Sequence, residues 1–190
     1  MRKLNYSTLR LILITLSVLL VWNWIYNQVF KPKPSETIHL FLTSDYLSTY
    51  DLEEQLLNDL SSYGIKKIII TYVAYDDPYY STQLMTQGIL SADILILPSV
   101  LLNDFTLSEQ FLPINSTSLW SKGLNESEFS TLDENNHSYA LSIYESGGFN
   151  HFGYTQRFDE TLDYYMTINK DSIHSEELLH DILYTLIKKD

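Results

Sequence analysis

Apolar and polar positions follow two periods along the chain, and each change of period marks a predicted element. Continuous or alternating apolar runs predict strands, and apolar residues three or four positions apart predict helices. The order is strand, helix, strand, helix, strand, with the strands at Ile38–Thr43, Ile68–Ala74 and Asp93–Leu97. Short connections in such an order favour parallel pairing and right-handed crossovers. The pattern therefore predicts an α/β domain with a doubly wound, mainly parallel sheet.

The most informative stretch is the third strand, which lies within the segment S-A-D-I-L-I-L-P-S at Ser91–Ser99. No polar residue interrupts the run after Asp93, which predicts a strand covered on both faces, as in the middle of a parallel sheet. Pro98 has no N–H to donate, so the ladder should end there. In open α/β sheets, the residues just past such a strand line the ligand crevice. Ser99 is therefore the first candidate for a functional residue.

The two helices between these strands have recognisable faces and ends. The first places its apolar face along Leu52–Tyr63 and ends at Gly64, because glycine tolerates the positive φ of a helix C-terminus. The second is expected over Tyr80–Leu90, with Leu84 and Met85 directed inward. The sequence Y-D-D-P before it is typical of a turn and a helix start, rather than of a metal site or paired catalytic acids.

After residue 103 the pattern is weaker. Residues 113–138 are rich in Ser, Asn, Thr and Glu, which predicts a long surface excursion with room for one short helix. Two further strands are expected at Tyr139–Tyr144 and Asp163–Asn169, and Ser175 is placed to cap a closing helix. That helix has one apolar stripe, formed by Leu178, Leu179, Ile182, Leu183, Leu186 and Ile187.

A charge-free apolar run near the N-terminus extends from Leu11 to Phe30. As a helix it would be about 30 Å long, which is enough to cross the hydrocarbon core of a bilayer. A membrane anchor and a cleaved signal peptide both fit such a run behind basic residues. The segment Val21–Lys33 offers no cleavage site of small residues, which favours the anchor. More basic residues precede the run than follow it, which favours a cytoplasmic N-terminus.

These observations predict four regions. Residues 1–10 are cytoplasmic, residues 11–30 form a single transmembrane anchor, residues 31–36 are a linker of Lys and Pro, and residues 37–190 form an extracytoplasmic α/β domain. The predicted location is the cell membrane.

Composition narrows the partners and the chemistry. The chain has 12 Lys and Arg against 24 Asp and Glu, a net charge of −12, and such a surface argues against nucleic acid as a partner. Cysteine is absent, which removes disulfides, thiolate metal sites, a cysteine nucleophile and a lipid-modified cysteine. The five histidines lack zinc-type spacing, and no glycine-rich phosphate loop or nucleophile elbow occurs. We therefore expect no metal, no cofactor and no catalysis.

Similarity to one family extends over most of residues 37–190. It is carried by the first three strands ending in A-D-I-L-I-L-P-S, by L-P-I at Leu112–Ile114, by N-H-S-Y-A-L-S-I at Asn136–Ile143, and by the strand and helix over Tyr164–Lys189. These segments resemble the first lobe of bacterial extracellular solute-binding proteins, which have the type II periplasmic-binding fold and serve ABC importers. The chain departs from the family at Gly147–Asp163, which is all that stands where the family has a second lobe.

The resemblance implies where a solute would bind. In the family, contacts come from the loops after the first and third strands and from the crossing region, and the loop after the second strand lies at the same edge. The candidate ligand-binding residues are Ser44, Asp45, Tyr46, Tyr75, Asp76, Ser99, Tyr144 and Glu145. Hydroxyls and carboxylates beside aromatic rings suit a polar, ring-shaped solute. The alternative is ordinary turn chemistry, since Ser and Asp favour the ends of strands.

Two functions follow from the sequence. The first is a membrane-anchored, extracytoplasmic protein of the solute-binding type, accessory to an ABC importer or a receptor, without catalytic activity. The alternative is a protein-docking module of the cell envelope that has lost solute binding. A single lobe offers one wall of a cleft, so the partners considered are a small polar solute, a transporter permease, a second envelope protein and a second copy of the chain.

Overall fold

A computed structural model describes residues 6–44, 49–102, 109–114, 129–131, 138–142 and 163–187 of the chain. The chain separates into two compact units, Met1–Lys33 and Pro34–Asp190.

The first unit contains one long apolar helix, α1, which spans Tyr6–Ile25 and continues as a π-helical turn over Tyr26–Phe30. None of its residues is buried, and its mean hydropathy is 1.8. By length and composition α1 could cross a membrane, and a signal sequence near an N-terminus would have the same properties. The helix begins before the predicted Leu11, because the polar residues ahead of the apolar run are also helical.

The second unit alternates strands and helices. Its strands are β1 (Thr37–Thr43), β2 (Lys67–Val73), β3 (Ile94–Pro98), β4 (Phe129–Thr131), β5 (Ser138–Ser142) and β6 (Tyr164–Ile168). Its α-helices are α2 (Thr49–Leu60), α3 (Tyr80–Gln83), α4 (Ser99–Leu102) and α5 (Glu176–Ile187). Helix α2 ends in a 3₁₀ turn at Ser61–Tyr63, and α3 continues as a π-helical segment at Leu84–Ile89.

All six strands form one sheet in the order β2-β1-β3-β6-β5-β4. The pairs β1–β2 and β1–β3 are parallel, whereas β3–β6, β5–β6 and β4–β5 are antiparallel. Strands β2, β1, β3 and β5 therefore run in one direction, and the predicted α/β class is confirmed. The placement of the third strand in the middle of a parallel sheet is wrong. Its second neighbour is β6, which runs against it with Ile94 opposite Ile168.

Helical layers cover both faces of the sheet, as the continuous apolar run of β3 predicted. Ile94 and Ile96 point into a core shared with α2 and α5, whereas Leu95 and Leu97 point into a core shared with α3 and its π-helical extension. All five residues of β3 are buried. Successive side chains of a strand point to opposite faces of the sheet, so a strand with an apolar layer on each face contributes to both cores and has no polar position.

Two predicted helix ends are confirmed. Gly64 has φ of 79° and donates its N–H to Ser61 O at 3.0 Å, closing the turn after α2. This left-handed conformation is one that glycine adopts without a Cβ penalty. Ser175 caps α5, because its Oγ accepts a hydrogen bond from Leu178 N at 3.3 Å.

The inward placement of Met85 is wrong. Leu84 is 4% exposed, but Met85 is 49% exposed. Neighbouring helical residues lie about 100° apart around the axis, so only one of the pair can face the sheet. The π-helical turn then brings Gly88 inward, where an added Cβ would lie 3.2 Å from Leu95 Cδ2 and 3.4 Å from Phe41 Cγ.

The predicted strands agree with the observed ones to within one or two residues. Strand β4 lies inside the predicted surface excursion, where the sequence indicated no strand, and Phe111 forms an isolated bridge with Asn169. The predicted short helix of residues 113–138 lies outside the residues that the structure describes.

Candidate functional site

The carboxyl ends of β1 and β3 form the topological switch point of the sheet. From β1 the chain crosses to β2 on one side, and from β2 it crosses to β3 on the other side. Helices that leave in opposite directions open a crevice at that point, and in open α/β sheets ligands bind there. Ser44 follows β1 and Ser99 follows β3, so the structure brings these two predicted residues to the same edge.

The two serines differ in what they present. Ser44 is 4% exposed, and its N–H donates to Val73 O at 3.0 Å, which fixes the chain as it leaves β1. Ser99 is partly exposed and begins α4, and its N–H donates to Asp163 O at 2.8 Å. Ser99 is therefore the more accessible of the two hydroxyls at the crevice.

Tyr75 and Asp76 lie in the turn that follows β2, at the same edge. Asp77 N donates to Ala74 O at 3.1 Å, which closes this turn, and both Tyr75 and Asp76 are exposed. Asp77 Oδ1 accepts a hydrogen bond from Tyr79 N at 2.7 Å, so Asp77 has the turn role predicted for it. The structure thus offers an aromatic ring and a carboxyl group beside the switch point.

A buried tyrosine that sequence analysis missed supports this turn. Tyr80 is 5% exposed, its hydroxyl shares a 2.7 Å hydrogen bond with Thr43 Oγ1, and its ring meets that of Tyr75 edge to face at 5.3 Å. Burial raises the pKa of the Tyr80 phenol far above its usual range, and the hydrogen bond with Thr43 opposes this shift. Tyr80 therefore contacts both Tyr75 and Thr43, the last residue of β1.

The remaining predicted site residues, Asp45, Tyr46, Tyr144 and Glu145, lie outside the described residues. Strand β5 runs in the direction of β1 and β3, so the chain leaves β5 at the same edge of the sheet. This direction is consistent with the prediction for residues 144 and 145, which stays a prediction.

The opposite edge carries a polar cluster that sequence analysis also missed. Asp93 precedes β3 and is 5% exposed. Its Oδ2 accepts a hydrogen bond from His39 N at 2.8 Å, and its Oδ1 accepts one from the Ser172 hydroxyl at 2.6 Å. Its main chain is also engaged, because Asp93 N donates to His39 O and Asn169 N donates to Asp93 O, both at 2.9 Å. The carboxyl group therefore connects β1, β3 and the segment after β6.

Two further side chains complete this cluster. Asn169 Nδ2 donates to Ile89 O at 2.7 Å and to Ala92 O at 2.6 Å. His174 Nε2 donates to Thr37 O at 2.9 Å. A cavity of about 230 Å³ lies beside these groups. Because the buried polar groups named here are satisfied by protein partners, the cluster acts first as a structural tie.

Among the residues that the structure describes, no three or more His, Asp or Glu side chains lie close enough together to hold a metal ion. His174 and His180 are largely buried, and the His174 ring donates to the main chain at Thr37 O.

Comparison with known proteins gives partial structural likeness only. No family model matches the chain, and no curated protein matches it. An ABC substrate-binding protein of Listeria monocytogenes, solved with cycloalternan, aligns with a TM-score of 0.39 at 10% identity over 56% of this chain and 28% of that one. The N-glycan transport solute-binding protein of Streptococcus pneumoniae gives a TM-score of 0.41 at 14% identity over 56% and 24%.

A spermidine/putrescine ABC transporter substrate-binding protein of Streptococcus pneumoniae gives a TM-score of 0.35 at 16% identity over 57% of this chain and 32% of that one. The chain therefore aligns with a quarter to a third of each of these proteins. This is likeness to part of a fold, and it assigns neither a ligand nor a partner to this chain.

Proposed function

We propose that the chain is a membrane-anchored, extracytoplasmic and non-catalytic binding domain of the solute-binding type, accessory to an ABC importer or a receptor. The observation that carries the proposal is the switch point between β1 and β3, with Ser44 and Ser99 at its two strand ends. Open α/β sheets bind ligands at this place.

A polar solute is the ligand that these side chains suit. The edge offers the Ser99 hydroxyl, the Asp76 carboxyl group and the exposed ring of Tyr75, which Tyr80 supports from below. A ring that stacks and groups that form hydrogen bonds are the usual means of orienting a polar ligand. The protein names in the three structural comparisons include polar glycan and polyamine cargoes, and a sugar or a small amine is accordingly the first class to test.

The anchoring part of the proposal concerns α1. A helix over Tyr6–Ile25 of mean hydropathy 1.8 is long enough to span a bilayer. Arg2, Lys3 and Arg10 precede or begin the apolar run, and Lys31 and Lys33 follow it. This bias favours a cytoplasmic N-terminus and an extracytoplasmic domain.

One feature favours the alternative, a docking module without solute binding. Ser44 is almost fully buried, and only residues 143–163 separate β5 from β6, too few for a second lobe of ordinary domain size. Pockets of ordinary affinity bury most of a ligand's surface, whereas one wall of a cleft buries less. A second protein covering the same edge would replace the missing wall.

A thermal-shift screen distinguishes the two functions. The full-length chain in detergent is heated with sugars, small amines, amino acids and short peptides, and the same panel is applied to Tyr75→Ala and to Tyr79→Ala, an exposed control nearby. A solute that binds, present at a free concentration of about 100 times its Kd, would stabilise the protein by roughly 2.7 kcal/mol. The proposal predicts a shift that Tyr75→Ala removes and Tyr79→Ala keeps. If no solute shifts the unfolding temperature, even at concentrations approaching 1 M, solute binding is rejected in favour of docking.

A further inference from the structure

Three exposed apolar residues of the second unit lie around one cavity, and the proposed function does not use them. Among the described residues of this unit, the two most exposed aliphatic side chains are Leu90, 73% exposed, and Ile173, 67% exposed. Both line the cavity of about 230 Å³ beside Asp93, together with Pro34, which is also exposed. Exposed aliphatic residues that occur singly need no explanation, whereas a group of them at one place marks a contact with a protein, a ligand or a membrane.

The loop that contains Ile173 holds this side chain outward. On one side of it, the Ser172 hydroxyl donates to Asp93 Oδ1 at 2.6 Å. On the other side, His174 Nε2 donates to Thr37 O at 2.9 Å, and His174 N donates to Ser172 Oγ at 3.2 Å. Both neighbours of Ile173 are therefore bound to the start of the sheet, and the isoleucine between them remains in solvent.

Leu90 is held outward on another side of the same cavity. It follows the π-helical segment Leu84–Ile89, and its N–H donates to Met85 O at 3.1 Å. Ile89 before it and Ala92 after it are each 3% exposed, so the main chain here lies against the sheet. Leu90 is therefore exposed although the residues around it are packed.

The three residues lie at the edge of the sheet where β1 and β3 begin. Pro34 opens the 3₁₀ turn directly before β1, and Leu90 stands four positions before Ile94, the first residue of β3. Strand β6 ends opposite Ile94 and is followed by Ile173. The second unit itself begins at Pro34, so the chain enters the unit at this edge.

The connection from the apolar helix to this edge is short. The π-helical turn ends at Phe30, and only Lys31–Lys33 stand between it and Pro34. The four residue steps from Phe30 to Pro34 span at most about 14 Å of extended chain, and this bound holds for every arrangement of the two units. In a chain anchored by the apolar helix, Pro34 therefore stays close to the bilayer surface.

We propose that the edge formed by Pro34, Leu90 and Ile173 rests on the adjacent leaflet of the membrane, with the two aliphatic side chains at the boundary between headgroups and acyl chains. Apolar groups bound at this boundary are buried by about 5–10 Å. The exposed neighbours Lys170 and Asp171 have opposite charges, so the contact is apolar and needs no anionic lipid. The contact rests on the proposed function, because it requires the membrane anchor, and it directs the candidate solute site at the opposite edge away from the bilayer.

Single cysteine variants of the full-length protein test this contact, because the chain contains no cysteine. Leu90→Cys and Ile173→Cys are each labelled with an environment-sensitive fluorophore and reconstituted into phosphatidylcholine vesicles that contain nitroxide lipids. Tyr79→Cys is the matched control, since Tyr79 is 70% exposed and follows the turn at the opposite edge. The seven residues of β1 separate the two edges by about 23 Å at roughly 3.3 Å per residue.

The nitroxide lipids should quench the labels at positions 90 and 173 several-fold more strongly than the label at position 79, and the emission of these two labels should lie at shorter wavelength. Equal quenching at all three positions, in protein that floats with the vesicles, would overturn the proposed contact and leave the anchor standing. Protein that does not float with the vesicles would refute the anchor, and the contact with it.

A charge introduced at the same edge gives an independent test. Ile173→Glu in the labelled Leu90→Cys protein should reduce the quenching at position 90, because a carboxylate is excluded from the acyl region. Val100→Glu is the matched control at the opposite edge, where Val100 is 47% exposed, and it should leave the quenching unchanged. Both replaced side chains are exposed, so the near-UV spectrum should stay native. Unchanged quenching in Ile173→Glu, or an equal loss in Val100→Glu, would contradict the contact.

Discussion

Removal of the Asp93 carboxyl group should destabilise the second unit more than removal of any exposed acid. Asp93→Ala leaves His39 N–H without the acceptor at 2.8 Å and the Ser172 hydroxyl without the acceptor at 2.6 Å. A buried group left without its partner costs about 1–3 kcal/mol, so the two together cost roughly 2–6 kcal/mol. Total stabilities are about 5–15 kcal/mol, so this loss is a large fraction of the whole.

Two companion variants separate the hydrogen bonds from the general effect of losing an acid. Asp93→Asn keeps the shape and one acceptor oxygen but cannot accept a second hydrogen bond through its NH₂ group, so it should lose about half as much free energy. Asp171→Ala is the matched control, because Asp171 is exposed and uses its main-chain N–H to bond Asn169 Oδ1. Its effect should stay within about 0.5 kcal/mol.

Urea unfolding of the full-length chain in detergent, followed by near-UV circular dichroism, measures these differences. Buried tyrosines such as Tyr80 and Tyr164 belong to the second unit and report its tertiary packing. A loss of 3 kcal/mol corresponds to a fall of roughly 6–12 °C in Tm for a domain of this size. A loss below 1 kcal/mol for Asp93→Ala, or an equal loss for Asp171→Ala, would refute the structural role of this carboxyl group.

Three further predictions concern the core, the pH dependence and the membrane. Ile96→Asp places a charge at a position that is 1% exposed, which costs several kcal/mol, so the domain should not fold. Normal expression of this variant with a native near-UV spectrum would refute the burial of β3 on both faces. The raised pKa of Tyr80 means that the folded state keeps a proton which the unfolded chain releases near pH 10, so stability should fall as pH rises above about 10. Tyr80→Phe should reduce this fall and Tyr79→Phe should not, and equal pH profiles for the two variants would contradict the assignment. Full-length protein should stay with membranes through carbonate washing and keep its N-terminus, whereas a mature species that starts after about Phe30 would show that the segment is a cleaved signal peptide.

The elements of this fold could be predicted because their signals are local. The apolar run of β3 indicated burial on both faces, and Gly64 and Ser175 marked helix ends, since each signal lies within a few residues of its effect. The direction of β6 could not be predicted. Its pairing with β3 joins Ile94 to Ile168, and no spacing within the sequence specifies which neighbour a buried strand takes.

At the candidate site, too, the local features could be predicted and the long-range contacts could not. Ser44 and Ser99 directly follow predicted parallel strands, so they were expected at one edge of the sheet, and β1 and β3 are indeed parallel. Tyr80 and Asp93 were missed because their partners Thr43, His39 and Ser172 are 37, 54 and 79 positions away. A signal for Tyr80 does exist, since it opens the helix directly after the turn at the site. It also lies four positions before the buried Leu84, so the two residues share the face of the helix that packs on the sheet.

Titration calorimetry of the full-length chain in detergent is the most direct test of binding at the edge between β1 and β3. We predict binding of a polar solute in the millimolar range, about −4 kcal/mol, since one wall of a cleft leaves much of the ligand in water. Ser99→Trp, which fills the crevice, should abolish this binding, and Leu90→Ala at the opposite edge should leave it unchanged. Binding that survives Ser99→Trp but is lost in Leu90→Ala would place the site at the wrong edge of the sheet and contradict the account.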